Sequence, residues 1–185
     1  MITKAAKPIP VVVAGALGRM GVEVIKAINS SEDVELVGAI DTATTDEGID
    51  VGLLIGLGPL DVFLTNDFEG CLCSTSQQAS KESSNGRVVL VDFTHPSVVY
   101  EHTRAAIAYG VHPVIGTTGL TSAQLMDIGK FAEKASIGSA VIPNFSIGMV
   151  LLQQAAAAAA SFYDHAELVE LHHNKKADAP SGTCI

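Results

Sequence analysis

The chain has 185 residues, enough for one large domain or for one domain and part of a second. Hydrophobic residues make up 48% of it and tryptophan is absent, so a core of Val, Ile, Leu and Ala is expected. A formal charge of −9 repels phosphate backbones and argues against nucleic-acid binding, while an anionic small molecule remains compatible wherever positive groups cluster locally.

Met1 to Pro10 carries lysines but no apolar run of the kind a secretory signal needs. Ile9 to Ala14 is a short β-branched run and reads as a buried strand. Gly18 to Asn29 follows as a helix, with Met20, Val24, Ile25 and Ile28 near helical spacing. Val34 to Ile40 is a second strand ending at Asp41, which completes a β-α-β unit. Thr42 to Asp61 is Gly-rich and poor in pattern, and Val62 to Leu64 reads as a short strand. Ser74 to Gly86 reads as the end of a helix and a mobile surface loop. Then come a strand at Arg87 to Asp92, a helix at Pro96 to Tyr109 and a strand at Val111 to Ile115. A helix at Thr121 to Ala135, with Thr121 as its cap, and a strand at Ile137 to Ile142 follow. This alternation predicts the α/β class: a Rossmann-like doubly wound parallel sheet with helices on both faces.

The pattern changes at Pro143-Asn144, where we place a boundary between a dinucleotide-binding domain, 1–143, and the start of an α+β substrate domain, 144–185. Phe145 to Tyr163 is the most membrane-like stretch, but Gln153 and Gln154 interrupt it and much of it is alanine. A buried helix is expected there, not a membrane span. Ala166 to Leu171 reads as a strand. The cysteines are Cys71, Cys73 and Cys184, an odd number that fits a reduced, cytoplasmic compartment. Cys71-Leu72-Cys73 can supply half a metal site, but no second pair exists, and no metal is expected.

Val13-Ala14-Gly15-Ala16-Leu17-Gly18-Arg19-Met20-Gly21 joins the first strand to the first helix. Glycines there let backbone N–H groups approach a pyrophosphate at a helix N-terminus, and Asp41 at the next strand end can accept from ribose hydroxyls. The alternative is a tight strand-to-helix turn with no ligand. Asp41 alone favours NADH, while Thr42 or Arg19 can contact the extra phosphate of NADPH, so the choice stays open. Three further strand ends look specialised: Asp92-Phe93-Thr94-His95-Pro96, Gly116-Thr117-Thr118-Gly119 and Pro143-Asn144-Phe145-Ser146-Ile147-Gly148. Each can bind a nicotinamide, or each can simply cap helices through Thr94, Thr121 and Ser146.

The densest chemistry lies in Glu167 to Cys184, where His172, His173, Lys175 and Lys176 make a local positive site in an acidic chain. His172 can donate a proton near neutral pH, Lys176 can donate one or neutralise developing charge, and Ser181-Gly182-Thr183 suits a carboxylate. On its own such a run also fits a solvated loop.

Glu167-x-x-Glu170-x-His172-His173-x-x-Lys176-x-Asp178-Ala179-Pro180-Ser181-Gly182-Thr183 closely resembles the signature of the 4-hydroxy-tetrahydrodipicolinate reductase family. Gly-Arg-Met-Gly at Gly18 to Gly21, Asp-Phe-Thr at Asp92 to Thr94, Gly-Thr-Thr-Gly at Gly116 to Gly119 and Asn-Phe-Ser-x-Gly at Asn144 to Gly148 extend the resemblance along the chain. It implies NADH- or NADPH-dependent reduction of a small cyclic dicarboxylate, with loss of water, in lysine and diaminopimelate synthesis. It implies His172 as proton donor, Lys176 as its partner acid, and His173, Gly182 and Thr183 as substrate contacts. The cofactor contacts implied are Gly15, Ala16, Leu17, Gly18, Arg19, Met20, Asp41, Gly116, Thr117, Thr118, Ile142, Pro143, Asn144 and Phe145. A homotetramer built through the substrate-domain sheet is implied for the full-length form, with no membrane partner. Leu17 stands where the family commonly has glycine, Cys184 where alanine is usual, and Pro143 where a small residue is common. Family members resemble chains of about 250 to 275 residues, so the substrate domain is expected to be incomplete here and this chain nearly inactive; the alternative is a non-catalytic NAD(P)-binding protein or inactive fragment.

Overall fold

β1 (Ile9–Ala14) is apolar at every position, as a strand covered on both faces must be, and Val11 to Ala14 are all buried. The computed structural model describes residues 7–42, 48–82, 87–142, 144–167, 169 and 171. The chain divides into two units, Met1–Val141 and Ile142–Ile185. In the first, β1 is followed by α1 (Arg19–Asn29), β2 (Val34–Ile40), α2 (Val51–Leu54), β3 (Leu64–Thr65) and α3 (Phe68–Glu82). Then come β4 (Val89–Asp92), α4 (Val99–Ala108), β5 (His112–Ile115), α5 (Ser122–Ala135) and β6 (Ala140–Val141). The strands form one six-stranded sheet in the order β3-β2-β1-β4-β5-β6, with every neighbouring pair parallel. The order reverses at β1, so β2 and β4 flank it and their carboxyl ends open a crevice between them.

Alternate residues of β1 feed two cores. Val11 and Val13 pack with Ile25 and Ile28 of α1, Ala39 of β2 and Leu64 of β3. Val12 and Ala14 pack on the other face with Leu72 of α3, Leu90 of β4 and Ala106 of α4. Ile107, Ile128 and Ala132 join α4 to α5 in a smaller cluster. At the rim of that cluster Arg104 pairs with Asp127, which also accepts from the Tyr100 hydroxyl at 2.7 Å. The Arg104 guanidinium lies over the Phe131 ring, 4.7 Å from its centroid.

Several elements differ from the sequence expectation. Residues 74–82 end a helix, as expected, but that helix, α3, is long, with few apolar positions, and among its described residues Leu72 alone is fully buried. Asp67 opens it by accepting the Gly70 N–H at 2.9 Å. Tertiary bonds hold it: Ser76 donates to the Tyr109 carbonyl at 2.8 Å, and the Tyr109 hydroxyl donates to Glu69 at 2.7 Å. A polar helix held by such bonds shows no apolar stripe to read. β3 begins at Leu64, later than expected, because its pairing with Ala39 and Ile40 defines it. α4 begins at Val99; Pro96 to Val98 form a turn before it.

The second unit contains α6 (Ile147–Ala160), the expected Ala-rich helix. None of its residues is buried, contrary to expectation; a helix that is apolar all round is buried only where another layer covers it. No helix among the described residues is long and apolar enough to cross a membrane. In the expected strand Ala166 to Leu171, the described residues 166, 167, 169 and 171 have no regular structure, since a strand exists only where a neighbour pairs with it.

Candidate active site

The crevice beside β1 is built by three loops at the carboxyl ends of strands. The first is the turn from β1 to α1. Gly15 has φ of 76°, and a Cβ there would lie 2.5 Å from the Phe93 carbonyl oxygen. A Cβ on Gly21 would lie 2.0 Å from the Gly15 carbonyl oxygen, so only glycine lets α1 sit this close to the turn. The turn uses its own N–H groups to hold its shape. Gly15 and Ala16 both donate to the Ile40 carbonyl at 2.9 and 3.1 Å, and Gly18 donates to Gly15 at 3.0 Å. Leu17 donates to the Asp41 carboxylate at 2.9 Å. Gly18 is the N-cap of α1, so the outward donors belong to Arg19, Met20 and Gly21, whose N–H groups have no partner inside the helix. Ala16 is fully buried and serves packing.

Asp41 therefore has two duties. One is to close the glycine turn by accepting from the Leu17 N–H. The other is to present a carboxylate at the end of β2, beside that turn.

The second and third loops follow β4 and β5 and meet on Asp92. This last residue of β4 has no exposed surface. Its Oδ1 accepts from the Thr94 N–H at 2.9 Å, the Thr94 hydroxyl at 2.7 Å and the Thr117 hydroxyl at 2.9 Å. Its Oδ2 lies 2.9 Å from Nδ1 of His102, whose ring stacks on Phe68. Burial by itself raises the Asp92 pKa, but the bonds from His102, Thr94 and Thr117 outweigh it and hold the carboxyl below its ordinary value. Gly116 donates to the Asp92 carbonyl at 2.9 Å, and a Cβ on Gly116 would lie 2.1 Å from the Phe93 ring.

Helix capping explains only one of the candidate residues. Thr121 forms a full capping box with Gln124. Ser146 occupies the N-cap of α6 without a side-chain cap bond, while Asn144 accepts the Ser146 N–H at 2.8 Å. Thr94 turns to Asp92 instead of capping α4, whose N-cap is Val98.

The crevice loops thus bring together Gly15 to Met20, Asp41 and Gly116 to Thr118 along one edge of the sheet. Ile142, Asn144 and Phe145 belong to the second unit. Pro143, His172, His173, Lys176, Gly182 and Thr183 lie outside the described residues. Cys71 is partly buried, and burial together with the nearby Asp67 charge pushes its thiol up to about 11, a poor nucleophile and metal ligand. Among the described residues no group of His, Cys, Asp and Glu is placed to hold a metal ion.

Sequence reasoning passed over His102. Two signals pointed to it. A carboxylate closing a β-branched strand needs a partner, and His102 shares the buried face of α4 with Val99, Thr103 and Ala106.

The strand order and the glycine turn closed by an acid at the end of β2 define a Rossmann-type dinucleotide fold. The model of the dihydrodipicolinate reductase N-terminus matches residues 9–145, and that of its C-terminus matches 148–185. The chain belongs to the dihydrodipicolinate reductase family. It is 69% identical over 184 residues to the 4-hydroxy-tetrahydrodipicolinate reductase of Prochlorococcus marinus (strain NATL2A), covering 100% of this chain and 65% of that relative. It is 74% identical over 178 residues to the reductase of the same name from Synechococcus sp. (strain CC9605), covering 96% of this chain and 64% of that one. A dipicolinate-bound dihydrodipicolinate reductase from Paenisporosarcina sp. TG-14 superposes with a TM-score of 0.70 at 33% identity, over 96% of this chain and 63% of that one. The chain therefore spans just under two thirds of the length of these relatives.

Two outcomes follow from the site. A group whose folded pKa is depressed stabilises the fold above its unfolded pKa, about 3.9, and that contribution is lost as pH falls through the folded value. The stability advantage of wild type over Asp92→Asn should therefore shrink on acidification below about pH 4; urea melts between neutral and acid pH measure it, and a constant difference would contradict the assignment. Asp41→Ala should weaken NADH by about ten-fold or more, since a hydrogen bond to a charged group contributes about 1.5–3 kcal/mol. NADPH should lose less, because its 2′-phosphate escapes a nearby negative charge; equal losses by calorimetry would show that Asp41 acts on the turn alone.

Proposed function

We propose that this protein acts as a 4-hydroxy-tetrahydrodipicolinate reductase, taking NADH or NADPH as cofactor and a small cyclic dicarboxylate as substrate. The observation that carries the reading is the turn at the start of α1. Its internal N–H groups are committed to shape, its outward ones are aimed along a helix N-terminus, and Asp41 closes it. These groups fit a dinucleotide: Arg19 and Met20 would meet the pyrophosphate and Asp41 the adenosine ribose. The dinucleotide, when bound, supplies the hydride. Backbone groups of Gly116 to Thr118 would meet the nicotinamide side, since the Thr117 hydroxyl is already given to Asp92.

The rest of the reading supports itself on the family. Ile142, Pro143, Asn144 and Phe145 are assigned to the cofactor's nicotinamide end. Reduction of the ring leaves carbanion-like charge that must be protonated. His172 is the proton donor, Lys176 offsets the developing charge, and His173, Gly182 and Thr183 hold the substrate carboxylates. Relatives' names and the dipicolinate-bound neighbour support a dicarboxylate as substrate. The cytoplasm as compartment and a homotetramer for the full-length form belong to the same proposal.

Calorimetry with NADH and NADPH tests the first half. Measurable binding of either is expected, and a folded sample that binds neither at millimolar cofactor would overturn the reading. For the second half, His172→Gln is compared with wild type in a form spanning the relatives' full length. It should lower kcat by about 10²–10⁴-fold with NADH affinity nearly unchanged, because general acid catalysis typically contributes that much. Lys176→Ala should lower kcat and raise KM, and His173→Gln should act mostly on KM. Near-normal kcat in His172→Gln would assign the proton to another group.

A further inference from the structure

Asp92 is fully buried, so no bound molecule reaches its carboxylate. It can act on a ligand only through what it holds. On one side it holds two loops: Thr94, after β4, and Thr117, after β5, both donate to Oδ1. On the other side His102 backs Oδ2 at 2.9 Å, and its ring stacks on Phe68 with centroids 4.0 Å apart. The carboxylate thus ties two strand-end loops to each other and anchors both against helices α3 and α4. Thr117 donates its hydroxyl within this network and lies 8% exposed, so its side chain faces the protein.

The crevice has two sides. Asp41 and the turn into α1 occupy the β1–β2 side, which takes the adenosine and pyrophosphate in this topology. The β4–β5 side is left for the nicotinamide riboside, and its loops are the two that Asp92 joins. A directional, fully satisfied polar network sets such loops in one arrangement, where apolar packing alone would let them slide.

Resting on the cofactor reading above, we infer that Asp92, Thr117 and His102 are positioning residues for the nicotinamide half of the dinucleotide. They hold the loops 93–95 and 116–118 in register and take no part in binding the adenosine half. The bare alternative is a structural pin that supports the whole sheet and either half equally.

Comparison of NADH with ADP on the 185-residue chain separates the two. ADP carries the adenosine and the pyrophosphate but no nicotinamide riboside. Thr117→Val keeps the shape of the side chain and removes only the hydroxyl. It should weaken NADH by about three- to ten-fold, the equivalent of one lost hydrogen bond, and leave ADP within about two-fold of wild type. Thr117→Ser, which restores the hydroxyl, should recover NADH binding. His102→Leu should reproduce the same split from behind the carboxylate, and it carries the comparison should Thr117→Val fail to fold. Equal losses for NADH and ADP, or no loss for NADH, would overturn the inference in favour of a structural pin. A folded wild-type chain that binds neither ligand would overturn the cofactor reading, and this inference with it.

Discussion

A carboxylate with no access to water sits where β1, β4 and β5 end, and the geometry of the crevice depends on it. An isolated buried carboxylate would cost several kcal/mol, and Asp92 avoids that penalty only by collecting donors from three elements at once. The requirement works in both directions. Each loop satisfies the acid, and the acid leaves each loop one arrangement. Removing a single donor therefore affects a loop that is remote in sequence, because the carboxylate is shared.

Backbone proximity imposes the second constraint. Gly15 approaches the Phe93 carbonyl, Gly21 approaches Gly15, and Gly116 lies under the Phe93 ring. The three loops pack too closely for any Cβ at these positions, so the crevice walls are main chain. Main-chain walls carry N–H donors at fixed positions, which suits recognition of a pyrophosphate and an amide better than flexible side chains would.

The Leu17 N–H reaches the Asp41 carboxylate, so the acid that follows β2 and the glycine turn are one hydrogen-bonded unit. A change at Asp41 is therefore felt at the turn. The two cores on either face of β1 give this unit a rigid base, since Val12 and Val13 are both fully buried on opposite faces.

The parallel α/β class, the order of elements along the chain, the glycine turn and the place of Asp41 at a strand end were legible in the sequence, because each is a local pattern with a local cause. β-branched runs make buried strands, glycines permit close turns, and an acid stands out at the end of an apolar run. Thr121 was legible for the same reason, since a capping box lies within one helical turn. Other features had no local signature. α3 lacks an apolar stripe and is held by Tyr109, 33 and 40 residues along the chain from its partners Ser76 and Glu69. β3 exists by pairing with β2, and the expected strand at Ala166 to Leu171 is not formed among its described residues. Above all, that Thr94 and Thr117 turn inward to Asp92 was decided by the tertiary structure alone, and only there does His102, marked in sequence by its place on the buried face of α4, meet this acid. Hydroxyls at strand ends serve caps, ligands or buried acids equally well in sequence, and only the convergence of β4, β5 and α4 on one carboxylate selects among them.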